Sequence, residues 1–333
     1  MSLTKNNNIL VTGGAGYIGS HAVLALNEAG YSVTVLDNLS TGLAEAVLSP
    51  AKLIVADLGN IEEVDKIFKN GQFSAVMHFA GSIVVPESID KPLNYYENNI
   101  VNTISLLQAV ERYQVPHFIF SSSAAVYGIP NTNPVTESSD TNPINPYGRS
   151  KLMAEWIIQD LAKISSWFSF GILRYFNVAG CDVKGRLGQN NPEATHLIKQ
   201  ACMAALGTRK EFQVYGNDYP TQDGTGIRDF IHVSDLAQAH LALLNSLENG
   251  GASQTLNCGY GYGYSVHQVV ETMKKVSGVD FPITITPRRD GDPPEVVADV
   301  KQIMSITNWR PAYADLQLII QSALDWEKKL TNR

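Results

Sequence analysis

The sequence predicts an α/β fold, a doubly wound parallel sheet followed by a smaller C-terminal α/β lobe. Three observations carry that reading. Short apolar or β-branched runs recur through the first half and end in small or polar residues: "NILVTGG", "SVTVLD", "KLIVADL", "SAVMHFAG" and "HFIFSSS". Helical segments lie between them, including "NIEEVDKIFKN" and the stretch 92–113, and alternating strand and helix implies a parallel sheet covered on both faces. After about Phe176 the texture changes, with glycine, proline and asparagine dense in "NVAGCDVKGRLGQNNPEA", "YGNDYPTQDGTG" and "PRRDGDPPE". Loops that numerous point to recognition carried on a rigid scaffold.

The first strand, "NILVT", runs into "GGAGYIG" and then a helix, so Gly13, Gly16 and Gly19 stand at G-x-x-G-x-x-G spacing. The turn needs a residue without Cβ, a pyrophosphate needs close backbone approach, and the helix N-terminus offers N–H groups and partial positive charge. Strand, turn and helix together predict a dinucleotide-binding Rossmann domain, with Tyr17 and Ile18 inside the turn. Asp37 ends the second strand about 20 residues on, where a carboxylate meets the adenine ribose hydroxyls and repels a 2′-phosphate. No arginine follows it in Asn38-Leu39-Ser40, which favours NAD over NADP. A turn begun by Asp37 and Asn38 is the plainer alternative and is compatible with that role. Asp57, with Leu58 after it, ends the third strand in the same way and is placed to reach the adenine.

The fifth strand leads into "FSSSAAVYG", at the carboxyl edge where such a sheet places its ligand. Downstream, "INPYGRSKLMAEW" opens a helix with Tyr147 four residues before Lys151, on one helix face. A phenol titrates near pH ~10, and a neighbouring ammonium, with the positive nicotinamide ring of NAD⁺, is expected to lower that value and make a general base. A tyrosine packed at a helix start beside a solvated lysine is the alternative, and Ser123 upstream weighs against it. The strand of "FSFGILRYFN" follows that helix, with "SDLAQAHLALLNSL" and "LQLIIQSALDWEKKL" as later helices. The expected division is 1–176 for the nucleotide lobe and 177–333 for the substrate lobe, with part of 228–257 returning to the first.

Net charge is -7, which argues against nucleic acid or an anionic membrane as partner. Cys181, Cys202 and Cys258 are widely spaced and odd in number, so neither a disulfide framework nor a zinc site is expected. The opening "MSLTKNNN" is polar and leads into a strand without signal-peptide character, and no apolar run approaches the ~20 residues of a membrane span. A soluble, cytoplasmic protein is expected.

Glycine turn, serine, tyrosine and lysine in that order resemble the extended branch of the short-chain dehydrogenase/reductase superfamily. "TGGAGYIGSH", "DNLSTG", "HFAG", "ESIDKPLNYYENN", "SSSAAVYG", "PYGRSK", "RYFNVAG", "YGNDYPTQDGTGIRDFIHVSDLA" and "PRRDGDPP" run colinearly across nearly the whole chain, a combination that resembles the UDP-glucose 4-epimerase (UDP-galactose 4-epimerase) family. The resemblance implies an isomerase with NAD as resident cofactor. Tyr147 would take the proton from the sugar 4-hydroxyl, Ser123 would position the 4-oxygen, and Lys151 would hold the cofactor ribose and tune Tyr147. It implies Phe79, Ala80, Gly81 and Asn98 around the nicotinamide half and diphosphate, and Phe176 at the nicotinamide. For the UDP-sugar it implies Asn177 and Arg228 and Arg289 at the diphosphate, Leu197, Val214 and Tyr215 at the uridine, and Asp292 at its ribose. It also implies a homodimer formed through helix 92–113 and the Tyr147 helix.

Three positions depart from the family pattern. Ile83 stands where many members have a lysine near the cofactor, and His196 where many have an asparagine near the substrate diphosphate. Val296 replaces a bulky tyrosine of some members, so an N-acetyl group is expected to fit and some activity on UDP-GlcNAc and UDP-GalNAc is the alternative reading. A 4,6-dehydratase needs an acid and base directly after the serine, where this chain has Ala124-Ala125. A UDP-glucuronate decarboxylase or epimerase conflicts with "YGNDYPTQDGTG". An inactive NAD-binding sensor predicts loss of the tyrosine or lysine, and both are intact.

Overall fold

The computed structural model describes residues 7–289 and 291–332; the polar start through Asn6 and Asp290 of the "PRRDGDPP" run lie outside the described residues. In chain order the strands are β1 Asn8–Thr12, β2 Ser32–Asp37, β3 Lys52–Val55, β4 Ala75–His78, β5 His117–Ser121, β6 Ser169–Tyr175, β7 Asn177–Ala179, β8 Phe212–Tyr215, β9 Ile227–Arg228, β10 Phe230–His232, β11 Gln254–Cys258, β12 Tyr264–Ser265, β13 Ile283–Thr286 and β14 Glu295–Val296. They fall into two compact units. The first takes in the chain up to Val126, Pro143–Arg174 and Ala237–Leu256; the second takes Tyr127–Asn142, Tyr175–Leu236 and the chain from Asn257.

The first unit holds a seven-stranded sheet in the order β11-β6-β5-β4-β1-β2-β3. The pairs β1/β2, β2/β3, β1/β4, β4/β5 and β5/β6 are all parallel. The doubly wound sheet expected from the sequence is therefore present. Its order reverses between β1 and β4, so the ends of these two strands form the switch point at which such sheets bind ligands.

Side chains alternate across the sheet. Leu10, Val76, Phe118 and Phe120 enter one buried layer with Val64 and Phe68 of the helix Ile61–Gly71, Leu106 and Val110 of the helix Asn102–Arg112, and Ile158 of the helix Pro146–Ile164. Fully burying each such side chain contributes roughly 1.5–3 kcal/mol, which keeps the strand ends in fixed places. The stretch 92–113 departs from one uniform helix. A π-helical segment, Glu97–Val101, joins Pro92–Tyr96 to Asn102–Arg112 and carries Asn98 and Asn99.

The second unit is less regular, yet its glycine-rich stretches contain short strands. β7 pairs with β10, β8 with β13, and β9 lies between β12 and β14. The helices Leu197–Ala205, Val266–Ser277 and Leu316–Thr331 pack on one another. Lys199 and Glu327 form a buried ion pair between two of them, with Nζ to Oε2 at 2.6 Å.

Candidate active site

The first unit's site begins where β1 stops. Gly13 has φ of 72°, and a Cβ there would stand 2.5 Å from the Ala80 nitrogen, so the turn touches the backbone that follows β4. At Gly19 a Cβ would stand 2.2 Å from the Gly13 carbonyl oxygen, so the helix Tyr17–Glu28 sits directly on the turn. Its N-cap, Gly16, supplies no capping side chain, and its first turn holds no acidic residue. A Cβ on Gly16 would meet only the Gly13 oxygen, at 3.3 Å. A helix N-terminus that the chain neither caps nor neutralises suits a diphosphate. The donor set thus fits the dinucleotide expected from the sequence.

Asp37 organises the loops beside this turn. Its Oδ2 accepts from the Ala15 N–H at 2.9 Å, and its Oδ1 from the Leu39 N–H at 2.9 Å. The second contact is the turn proposed as the plainer reading of Asp37, and it holds Leu39 at a φ of 58°. Each oxygen keeps a second lone pair for a ribose hydroxyl. Asp57 accepts from Asn38 Nδ2 and the Gly59 N–H, both at 2.7 Å. Leu58 next to it is buried.

Tyr147 lies in the first turn of the helix Pro146–Ile164. Asn145 caps that helix through the Gly148 N–H at 2.8 Å, and Pro146 occupies its start. Gly148 is required by close approach, since a Cβ would stand 2.6 Å from the Ala125 carbonyl oxygen. This contact brings the tyrosine against the end of β5. Ser123 stands beside the phenol, and its Oγ accepts from the Ala125 N–H at 3.1 Å. Tyr147 is 7 % exposed. Burial raises its pKa from the ordinary phenol value, against the Ser123 hydrogen bond, which lowers it.

The expected lowering joins the Lys151 ammonium to the nicotinamide charge of NAD, so the raised value describes the phenol with the protein's own groups alone. Lys151 is held at the strand end. Its Nζ donates to the Ser121 carbonyl at 2.8 Å and lies 4.9 Å from the centre of the Phe120 ring. Lys151 is 3 % exposed, and burial pushes its pKa down to about 8, with Glu155 opposing. Serine, tyrosine and lysine are thus brought together, but the chain alone leaves the phenol protonated at neutral pH.

Several residues around this set have no signal in the motif reading. Asn99 accepts from the Ser82 N–H at 2.7 Å and donates to the Ser82 carbonyl and to Ser150 Oγ, which in turn donates to the Tyr147 carbonyl. Its neighbour Asn98 donates to Ser82 Oγ at 2.9 Å. His78 is buried between two threonines, with Nδ1 2.6 Å from Thr12 Oγ1 and Nε2 2.9 Å from Thr103 Oγ1. Thr103 gives its hydroxyl hydrogen to the Asn99 carbonyl at 2.7 Å, so it accepts from His78 Nε2–H, and Thr12 donates to Nδ1. Burial, then the Lys151 charge, push His78 down to about 3. Phe79, Ala80 and Gly81 follow β4 directly, and a Cβ on Gly81 would stand 3.0 Å from Asn99 Oδ1. Ile83 is exposed.

The second unit gathers most of the residues expected to meet a UDP-sugar. Arg228 Nη2 pairs with Asp292 Oδ1 at 2.9 Å. The Arg289 guanidinium lies over the Tyr215 ring at 3.8 Å. Arg288 is paired with Asp218 and lies over the Tyr219 ring at 4.3 Å. Val214 and Tyr215 end β8, and Val296 stands opposite Arg228 in the β9/β14 register. His196 stands just before the helix that Leu197 begins, without a side-chain capping bond; burial, then Lys199, lower its pKa. Phe176 is buried ahead of β7, and Asn177 donates its N–H to the Asp229 carbonyl at 3.0 Å. The carboxylate of Asp229 accepts from the Tyr260, Gly261 and Ala298 N–H groups, and burial pushes it up to about 6. Asp235 accepts from Tyr260 Oη at 2.6 Å and from the Ala312 and Tyr313 N–H groups, both at 2.9 Å. These two carboxylates explain why "RDFIHVSD" carries acids that no ligand role claims: they fasten three loops.

Among the described residues no cluster of His, Cys, Asp or Glu is arranged to hold a metal, and no helix is long and apolar enough to cross a membrane.

A UDP-glucose 4-epimerase from Azospirillum brasilense is 51% identical over 322 residues, which cover 97% of this chain and 92% of that one. The structure of the UDP-Glc/GlcNAc 4-epimerase from Campylobacter jejuni matches with a TM-score of 0.86 at 48% identity, over 97% of this chain and 99% of that chain. The crystal structure of UDP-glucose 4-epimerase from Bifidobacterium longum in complex with NAD+ and UDP matches with a TM-score of 0.92 at 37% identity, over 98% and 99% of the two chains. Residues 9–259 match the model of the NAD dependent epimerase/dehydratase family, and the chain belongs to that family.

Proposed function

We propose that the protein interconverts UDP-glucose and UDP-galactose, with NAD as resident cofactor. The sugar is oxidised at C4, the 4-keto sugar turns about its link to the diphosphate, and reduction on the opposite face completes the epimerisation. The observation that carries this reading is the Ser123–Tyr147–Lys151 set, with Tyr147 and Lys151 buried, followed by Ala124 and Ala125. The set moves one proton out and back, and no carboxylate stands after the serine to drive an elimination.

Bound NAD supplies the hydride acceptor, together with a positive nicotinamide charge that favours the phenolate. Tyr147 takes the C4 hydroxyl proton and later returns it. Ser123 holds the C4 oxygen. Lys151 holds the cofactor ribose and adds positive charge near the phenol. Gly13, Gly16, Tyr17, Ile18 and Gly19 receive the diphosphate, Asp37 and Asn38 the adenine ribose, and Asp57 and Leu58 the adenine. Phe79, Ala80, Gly81 and Asn98 surround the nicotinamide half. The first unit is therefore the NAD-binding part and the second the UDP-sugar part.

In the second unit Asn177, His196, Arg228 and Arg289 hold the UDP diphosphate, and Leu197, Val214, Tyr215 and Asp292 hold the uridine. Guanidinium forks match phosphate oxygens, which lets a chain of net charge -7 take an anionic substrate. Leu93, Val101 and Trp156 are large exposed apolar residues on the helices proposed for a homodimer, so light scattering at twice the chain mass is expected.

The test is direct. Purified protein given UDP-galactose is expected to form UDP-glucose without net consumption of NAD. Formation of a 4-keto-6-deoxy product, or no conversion of either UDP-hexose, contradicts the reading.

A further inference from the structure

Three consecutive serines at the end of β5 meet three successive turns of the Pro146–Ile164 helix. Ser123 stands beside the Tyr147 phenol, the Ser121 carbonyl receives Lys151 Nζ, and Ser122 Oγ donates to Glu155 Oε1. Residues 147, 151 and 155 are spaced four apart, so they share one face of the helix. The third contact belongs to no role assigned so far.

Glu155 is 0 % exposed and Arg174 is 6 % exposed. The Arg174 guanidinium grips both carboxylate oxygens, with Nε 3.0 Å from Oε1 and Nη2 2.6 Å from Oε2. A carboxylate taken fully out of water is costly, and a hydrophobic pair of the same volume often packs at least as well. Burial of this pair beside the reacting groups therefore calls for a use. One turn away stands a lysine as deeply buried, whose ammonium has one hydrogen bond here, to a neutral carbonyl.

We propose that Glu155, fixed by Arg174 and Ser122, is a positioning residue that seats Lys151 against the end of β5 and holds its ammonium charge during the proposed epimerisation. The role rests on the reading of Lys151 as part of the epimerase site. Arg174 fixes the carboxylate from β6, and Ser122 couples it to the strand end that also receives Tyr147 and Lys151. The other titratable and charged groups around this face are His78 at the end of β4, Tyr147 on the same helix, and Glu87 and Tyr95 on the packed segments Val85–Asp90 and Pro92–Tyr96. His78 stays neutral down to about 3 and Tyr95 is raised by burial, so neither supplies charge near neutral pH. Glu155 is the carboxylate that opposes deprotonation of Lys151.

The experiment titrates Lys151 by NMR in holoenzyme labelled with [13Cε]lysine, with the resonance assigned by its loss in Lys151→Met. Glu155→Gln keeps the shape and removes the charge; Glu155→Gln with Arg174→Met also removes the unpaired guanidinium. In Glu155→Gln the Lys151 midpoint is expected to fall by at least about 1 pH unit, the lower range for losing a neighbouring opposite charge, and in the double variant to fall by less while staying below wild type. The alkaline limb of turnover on UDP-galactose is expected to move down with it, and Glu155→Asp to lie between. A Lys151 midpoint and alkaline limb unchanged in the double variant, with only thermal stability or overall turnover reduced, would make the pair structural and overturn the proposal. If wild type fails to convert UDP-galactose while the midpoint still moves, the epimerase reading falls and the control of Lys151 by Glu155 stands.

Discussion

Replacing His78 with glutamine tests the buried relay beneath the site. The imidazole lies between Thr12 and Thr103 and is pushed down to about 3 by burial and by Lys151, from an ordinary value of 6.5. An unfolded chain takes up a proton here near pH 6.5, and the folded chain does so only near 3. Between those limits the unfolded state binds more protons, so stability rises with pH and is lost as pH falls through 6.5 toward 3. From pH 7 to pH 5 this one site is expected to remove about 2 kcal/mol from the wild type. His78→Gln carries no titrating group and escapes that loss. Urea unfolding of both proteins at pH 7 and pH 5 measures it, and the stability gap between them should change by about 2 kcal/mol in favour of the variant at pH 5. Equal pH slopes for the two proteins would refute a neutral, buried His78. A nitrogen NMR spectrum showing Nδ1–H would refute the direction of the relay.

Gly13→Ala places a methyl group against the Ala80 backbone at a φ of 72°, so strain of roughly 1–3 kcal/mol before any clash and loss of bound NAD are expected, checked by melting temperature and cofactor content. Arg228→Ala removes a guanidinium and leaves Asp292 without this ion pair; calorimetric affinity for UDP should fall by roughly 10- to 100-fold, a loss in the range of charged hydrogen bonds. If Val296 leaves room for an N-acetyl group, wild type converts UDP-GlcNAc to a measurable extent and Val296→Tyr abolishes that while retaining UDP-galactose conversion; absence of the activity in wild type removes the idea.

The parts of the site legible in the sequence are those fixed by local chemistry. Gly13 announces itself because a left-handed turn after a strand suits no other residue as well, and Asp37 because it ends the next strand. Tyr147 and Lys151 sit one helical turn apart, so their spacing alone puts them on one face. Glu155 and Arg174 were illegible for the opposite reason: their pairing joins a helix to a strand that its sequence neighbours do not identify. The His78 relay joins β1, β4 and a helix, and threonines beside a histidine carry no periodic mark. The π-helical segment at Glu97–Val101 is hidden because its residues are ordinary helix formers; only the contacts of Asn98 and Asn99 with Ser82 reveal its use. In the second unit, short strands such as β9 and β14 form within glycine-rich sequence because neighbouring strands, not local propensity, decide their pairing. Adjacency to a lysine in sequence does not say where the ammonium points, and Lys151 Nζ turns to the Ser121 carbonyl.

In the proposed reaction one proton passes through the Tyr147 hydroxyl in each half. Turnover of UDP-galactose to UDP-glucose by wild type and Tyr147→Phe, with cofactor content matched, tests it most directly. A fall of at least ~100-fold in kcat with the NAD content unchanged is the predicted result. Equal turnover in the two proteins would contradict the account.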